Sequence, residues 1–122
     1  MQFRQRKDNG EKKPTRYYSS KQENTVAKDI GGKTTPNSGA TPFDKGDIST
    51  DKFLIECKTK TSNSDSISIK KEWLEKLKDE ALFMKKEHEA LIFNFGPDSK
   101  NYAIIDIELF NLLKEYLNEV DE

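Results

Sequence analysis

A run of alternating residues from Lys52 to Lys60 constrains the fold of this chain more than any other feature. Successive side chains of a β-strand point to opposite faces of its sheet. One predicted face consists of Phe53, Ile55, Cys57 and Thr59. The other consists of Leu54, Glu56, Lys58 and Lys60. The pattern predicts a strand with one apolar face and, on the other, a carboxylate and an amine as close neighbours.

The segments around this strand predict an α/β domain. Residues 20–30 are predicted as the first helix, because Ser20-Lys21-Gln22-Glu23 has the S-x-x-E form of a capping box and Gly31-Gly32 marks a stop. Apolar spacing predicts the other elements, which are helices over 69–87 and 108–119 and strands over 47–48, 90–95 and 102–107. The predicted order is αββαββα, with a mixed central sheet flanked by helices. Residues 33–47 are predicted as an irregular loop or a short broken strand.

The net charge of −1 hides an uneven distribution along the chain. Residues 1–22 carry seven Lys and Arg against two Asp and Glu, residues 23–60 carry six against six, and residues 61–122 carry eight against fourteen. A basic start on an otherwise acidic chain indicates a polyanion partner at that end. The alternative is a frayed, solubilising terminus. We expect a basic arm over residues 1–18 and a single domain over residues 19–122.

Cysteine, histidine and hydropathy exclude several classes of protein. Cys57 is the one cysteine and His88 the one histidine, so an internal disulfide and a Cys/His zinc site are excluded. Cys57 is expected in the core, and His88 in the solvated last turn of a helix. No apolar run approaches the ~18 residues of a membrane span, and no signal core follows Met1. We therefore expect a cytoplasmic protein without a membrane partner.

Asp47, Glu56 and Lys58 form a candidate site for a hard cation. A hairpin would bring Asp47 beside Glu56, which lies nine residues later. Mg²⁺ prefers carboxylate oxygen together with water and substrate phosphate, so this pair supplies suitable ligands without histidine. Lys58 would orient or deprotonate an attacking water. The alternative is a solvated ion pair between Glu56 and Lys58 on a half-exposed strand, which would contribute little to stability.

Gly46-Asp47 followed by Glu56-Cys57-Lys58 resembles the D…E-x-K core of the PD-(D/E)xK nucleases, also called restriction-endonuclease-like. Within that superfamily the chain is most similar to Holliday-junction resolvases of the archaeal and phage type. Asn37-Ser38-Gly39-Ala40 resembles their Ser-Gly loop, and Glu23 matches their helix-borne glutamate. Gly46 departs from the family's nominal proline. The similarity covers about residues 19–107.

The resemblance implies a structure-specific endonuclease that uses Mg²⁺, or Mn²⁺ as a substitute, to hydrolyse phosphodiester bonds in branched DNA. It implies metal binding by Asp47, Glu56 and the backbone carbonyl of Cys57, with Lys58 assisting the water. Glu23 would complete the acidic site as a catalytic residue and a further metal ligand, unless it serves only as the capping-box partner of Ser20.

Contacts with DNA are expected from one loop, the first helix and the lysines around the site. Ser38 is implied near a DNA phosphate, and Arg16 is the candidate for the family's arginine near the first helix. The lysines of this predicted DNA-binding set are Lys45, Lys60, Lys70 and Lys71. An exposed helix start would also carry the last three of these lysines.

The expected assembly follows from the substrate. A four-way junction needs two symmetric cuts and each chain would hold one site, so a homodimer is expected. Two alternatives stay open. The chain could be another nuclease of the superfamily, either an exonuclease or a sequence-specific endonuclease, or it could be a DNA-binding module in which the carboxylates are incidental. The excess of lysine over arginine, 18 against 3, hints at the A·T-rich genome of a phage or a low-GC bacterium.

Overall fold

The computed structural model describes residues 13–35 and 46–120. Its helices in that part of the chain are α1 Thr15–Ile30, α2 Lys71–Phe83 and α3 Ile107–Val120. Its strands there are β1 Lys33–Thr34, β2 Ile48–Ser49, β3 Phe53–Lys58, β4 His88–Phe93 and β5 Tyr102–Ile104. The predicted α/β class is confirmed. The order over the described residues is αβββαββα, so the predicted order lacked β1.

The described strands form one mixed sheet in the order β1-β2-β3-β4-β5. Strands β3 and β4 are parallel, with Phe53 opposite His88 and Lys58 opposite Phe93. The other neighbouring strands are antiparallel. Because parallel neighbours need a long crossover, the chain passes through α2 between β3 and β4. The alternating segment found in the sequence is therefore the central strand.

The alternation of β3 is confirmed, and each of its faces packs against a different helix. Ile55 and Cys57 belong to an apolar cluster that includes Val26 and Ala27 of α1. Leu54 belongs to a second cluster with buried side chains of α2 and β4, which are Leu77, Ala81 and Leu91. Glu56 and Lys58 share the face of Leu54, so they lie under α2 instead of on an open surface.

Helix α1 begins earlier than predicted. Its N-terminal cap is Pro14, no side chain caps it, and Ser20 lies inside the helix. The capping-box interpretation is therefore wrong, because the helix starts at Thr15, where a preceding proline is well tolerated. Gly31 ends the helix in the left-handed conformation with φ 70°, as the glycine pair predicts. The arm predicted for residues 1–18 thus overlaps α1 from Thr15 onward, while residues 1–12 lie outside the described residues.

The predicted position of His88 is also wrong. Helix α2 ends at Phe83, and His88 begins β4, with its ring centroid 5.1 Å from that of Phe53. The strand start is set by the parallel register with β3, which is a non-local interaction.

Helix α3 follows the edge strand β5. The amide of Leu109 donates a hydrogen bond of 2.8 Å to Asp106 Oδ1, which caps the start of the helix. Among the described residues of α3, Leu109 alone is buried. Within residues 13–35 and 46–120, no helix combines the length and apolar content needed to cross a bilayer.

Candidate active site

Asp47 is held firmly beside the central strand. Its backbone amide donates to the carbonyl of Ile55 at 2.9 Å, and its Oδ2 accepts a hydrogen bond of 2.8 Å from the amide of Cys57. The antiparallel register pairs Ile48 with Ile55, so one step further Asp47 lies opposite Glu56. The residue is only 9% exposed. The hairpin that was predicted to bring Asp47 beside Glu56 is confirmed by this register.

Gly46 determines how the chain enters this position. Its φ of 74° is a left-handed conformation that L-residues seldom adopt. A Cβ at this position would lie 2.6 Å from Cδ1 of Leu54, which is fully buried. A proline at position 46 is incompatible with this φ, because a proline ring fixes φ near −65°. The backbone conformation and the closeness of Leu54 therefore favour glycine at position 46.

Glu56 has an unusual protonation equilibrium. Burial and the charge of Asp47 raise the pKa of Glu56 to about 7, against the lowering effect of Lys58. Glu80 raises this pKa further, and Lys76 lowers it. The carboxyl group is therefore close to half-protonated at neutral pH. A cation bound beside it would favour the ionised form.

Glu23 and Asp47 also interact electrostatically. Burial, followed by the charge of Asp47, raises the pKa of Glu23, while Arg16 lowers it. Burial raises the pKa of the Cys57 thiol, and the carboxylates of Asp47, Glu23 and Glu56 add to that effect. The charges of Asp47, Glu23 and Glu56 all act on the Cys57 thiol, although Glu56 lies on the α2 side of β3 and Cys57 on the α1 side. Cys57 is buried in the α1-side cluster, as the sequence predicts.

Lys58 is placed between Glu56 and an aromatic ring. Its Nζ lies 4.0 Å from Oε2 of Glu56 and 4.3 Å from the ring centroid of Trp73. An ammonium group over an indole face is favoured electrostatically, so Trp73 restrains the lysine. A cleft of about 430 Å³ opens here between β3 and α2, lined by Glu56, Lys58, Glu72, Trp73, Lys76, Leu77 and Glu80. Trp73 also packs against the apolar cluster of α2 and β4, and the sequence reasoning did not identify its contact with Lys58.

Gln22 is a further residue that the sequence reasoning missed. It is 6% exposed, and its Nε2 donates a hydrogen bond of 3.1 Å to the carbonyl of Lys58. Its Oε1 accepts a 2.6 Å hydrogen bond from Oγ1 of Thr59. Gln22 therefore connects α1 to the end of β3 that carries Lys58. A signal was present, because Gln22 lies four residues before Val26 and so on the buried stripe of α1.

The residues predicted to contact DNA are only partly brought together. Lys60 follows β3 and lines the surface next to Lys58, and Nζ of Lys70 lies 5.9 Å from the Trp73 centroid. Lys71 is exposed and pairs with Glu75 at 3.8 Å. Arg16 lies on α1 and acts on Glu23 rather than on the cleft. Ser38 and Lys45 lie outside the described residues.

The donor set is suited to a hard cation that keeps part of its own hydration. Within residues 13–35 and 46–120, no three His, Cys, Asp or Glu side chains form a ready-made group that could hold a metal ion. Mg²⁺ needs only one or two carboxylates, because water and substrate phosphate complete its octahedron. Asp47 and Glu56 fit that requirement as a pair. Comparison of the chain with known protein families, curated proteins and solved structures finds no match.

Proposed function

We propose that the chain is a Mg²⁺-dependent endonuclease that hydrolyses phosphodiester bonds in branched DNA. The observation that carries the proposal is the carboxylate pair of Asp47 and Glu56 with the amine of Lys58 4.0 Å from Glu56. Metal-assisted phosphate hydrolysis needs oxygen ligands that hold the ion, and one or two carboxylates suffice for Mg²⁺. The resemblance to PD-(D/E)xK resolvases supplies the substrate class.

Each residue would have a separate part in the reaction. Asp47, Glu56 and the Cys57 carbonyl would hold Mg²⁺, with Glu23 as a further ligand. Bound there, Mg²⁺ supplies positive charge to the scissile phosphate. Lys58, restrained by Glu56 and Trp73, orients the attacking water. The water oxygen would form a bond to phosphorus and release one proton to bulk solvent, while the bond to the leaving sugar oxygen breaks and that oxygen takes up one proton from solvent.

Charge around the cleft supports phosphate binding on one side. Lys60 and Lys70 flank Lys58 and Trp73, whereas Glu72 and Glu80 line the cleft under α2 together with Lys76. A DNA strand would therefore approach from the Lys60 side. Lysines of this kind contact the sugar-phosphate backbone of DNA, so binding would depend strongly on salt concentration and little on the DNA sequence.

The test is cleavage of an end-labelled four-way junction in Mg²⁺, beside a linear duplex with the same arm sequences. The parent should make paired symmetric nicks near the branch point and leave the linear duplex intact. Glu56→Gln should reduce the rate by about 10²-fold or more, since a neutral amide binds the cation weakly. Glu89→Gln is the matched control, because it makes the same change in the neighbouring strand β4 and should retain activity.

The other outcomes separate the alternatives. Equal cutting of junction and linear duplex, lost in Glu56→Gln, would keep the metal site and reject the preference for branched DNA. Binding without cutting of any substrate in Mg²⁺ or Mn²⁺ would reject the enzyme and favour a DNA-binding module.

A further inference from the structure

Helix α3 has an apolar side that remains exposed. At 100° per residue, the side of the helix that includes Leu109 also carries Phe110, Leu112, Leu113, Tyr116, Leu117 and Val120. We call these last six side chains the α3 face. Leu109 is buried, whereas the residues of the α3 face are 43% to 61% exposed. The helix is therefore amphipathic, and most of its apolar side faces solvent in one copy of the described chain.

The α3 face is large enough for a stable interface. With ~200 Å² for each fully exposed large side chain, the six exposed fractions correspond to about 600–700 Å² of apolar surface. Monomers rarely expose a contiguous apolar patch above a few hundred Å². Each partner of a standard interface contributes about 800 Å². The α3 face therefore supplies most of the surface area that each partner contributes to a standard dimer interface.

The pattern within α3 indicates that the partner is another helix. Leu113, Tyr116 and Val120 of the α3 face follow at intervals of three and four residues, and Leu117 lies four residues after Leu113. This is the spacing at which apolar side chains of one helix fit between those of another. A two-fold axis would place the same residues on both sides, so the α3 face can serve as its own complement.

Charge disfavours a lipid or nucleic acid partner for this helix. The other side of α3 carries Glu108, Glu115 and Glu119 against the single basic residue Lys114. Amphipathic helices that lie on membranes usually have basic polar sides, and DNA phosphates repel acidic ones. An acidic polar side is instead compatible with a protein interface whose outer surface stays in water.

Segments of the same chain are poor candidates to cover the α3 face. Residues 1–12 contain Met1 and Phe3 as their only large apolar side chains. The residues that flank 36–45 adjoin β1 and β2, at the opposite edge of the sheet from β5 and α3.

We propose that α3 packs against α3 of a second copy of this chain around a two-fold axis and forms a closed homodimer. The proposal is independent of catalysis, because it rests on the exposed apolar area and its spacing. Its consequence for the proposed nuclease is that two sites would be joined in one particle.

Sedimentation velocity of the full chain at about 1 to 100 μM tests the dimer. The parent should approach about 28 kDa, twice the 14.1 kDa of one chain. Leu117→Lys should raise the dissociation constant at least tenfold, because it would bury an unpaired ammonium group. Asn111→Lys places the same charge on the polar side of the same helix and should leave the constant within about twofold. Circular dichroism would check that both variants keep their helices.

A second measurement needs no variant. The midpoint of urea unfolding should rise with protein concentration if folding and dimerisation are linked. A monomeric parent at 100 μM with a concentration-independent midpoint would overturn the proposal. So would a Leu117→Lys protein that dimerises as tightly as the parent, or an Asn111→Lys protein that dissociates equally.

Discussion

At the scale of single residues, Glu56 couples stability to pH. Its pKa is about 7 in the folded chain, against an ordinary value of 4.5, because it is buried beside Asp47. The folded state therefore holds this proton more tightly than the unfolded state. The stability contributed by protonated Glu56 is complete below about pH 4.5 and is lost as the pH rises through 7.

Glu56→Gln isolates this effect. A neutral amide does not ionise, so in EDTA the variant should lose less stability than the parent as the pH rises. Between pH 4 and pH 8, the free energy of unfolding of the variant should rise by on the order of 2–3 kcal/mol relative to that of the parent. Urea unfolding of both proteins at pH 4, 6 and 8 measures the difference. A difference that stays constant with pH would mean that Glu56 is not buried as described.

Gly46→Ala tests the entry to Asp47. The added Cβ meets both an unfavourable φ of 74° and the side chain of Leu54 at 2.6 Å. Gly31→Ala is the matched control, because its φ is 70° and its Cβ would meet nothing within 4 Å. The control should lose about 1 kcal/mol of stability, and Gly46→Ala about 1–3 kcal/mol more. Equal losses in thermal unfolding would show that Leu54 moves aside at little cost.

At the scale of secondary structure elements, Gln22 is the link between α1 and β3. Gln22→Leu keeps the volume but leaves the Lys58 carbonyl and the Thr59 hydroxyl without this partner. The variant should lose about 1–3 kcal/mol of stability. Asn24→Leu changes an exposed position of the same helix and should stay within about 0.5 kcal/mol. A loss in Gln22→Leu no larger than in Asn24→Leu, measured by urea unfolding, would contradict the link.

The elements also show which parts of the fold the sequence predicts. The alternation of β3 and the hairpin that brings Asp47 to Glu56 were predicted correctly, because both depend on local pattern and short connections. Strand β1 was predicted only as one of two alternatives for residues 33–47, since its two residues are defined only by pairing with β2. The start of α1 was misplaced because a local S-x-x-E match was preferred to the upstream Pro14.

In the candidate site, too, the sequence predicts the features that depend on local pattern and not those that depend on long-range packing. The strand pattern predicts that Glu56 and Lys58 are neighbours. The contact of Lys58 with Trp73 and the electrostatic effect of Asp47 on Glu23 depend on how α2 and α1 pack on the two faces of the sheet. Helix packing of this kind has no signature in the spacing of a single sequence.

At the scale of the whole molecule, the uneven charge predicts how DNA binding responds to salt. Arg4→Gln, Arg6→Gln and Lys7→Gln together remove three positive charges from the basic start. If these residues contact phosphates, the slope of log affinity against log salt should become shallower by up to about 3. Lys114→Gln, on the acidic helix α3, is the control and should leave the slope unchanged. Fluorescence anisotropy without divalent metal measures both, and an unchanged slope in the triple variant would identify a solubilising terminus.

Alkylation of the buried thiol of Cys57 can be used to measure local unfolding around β3. Because the chain has one cysteine and burial and neighbouring carboxylates raise the pKa of that thiol, alkylating reagents should react with it slowly while β3 stays packed. The amide of the same residue binds Asp47, so the rate of alkylation follows the transient separation of β3 from its neighbours. A cysteine introduced at any exposed position could then be labelled selectively, with Cys57 left unmodified.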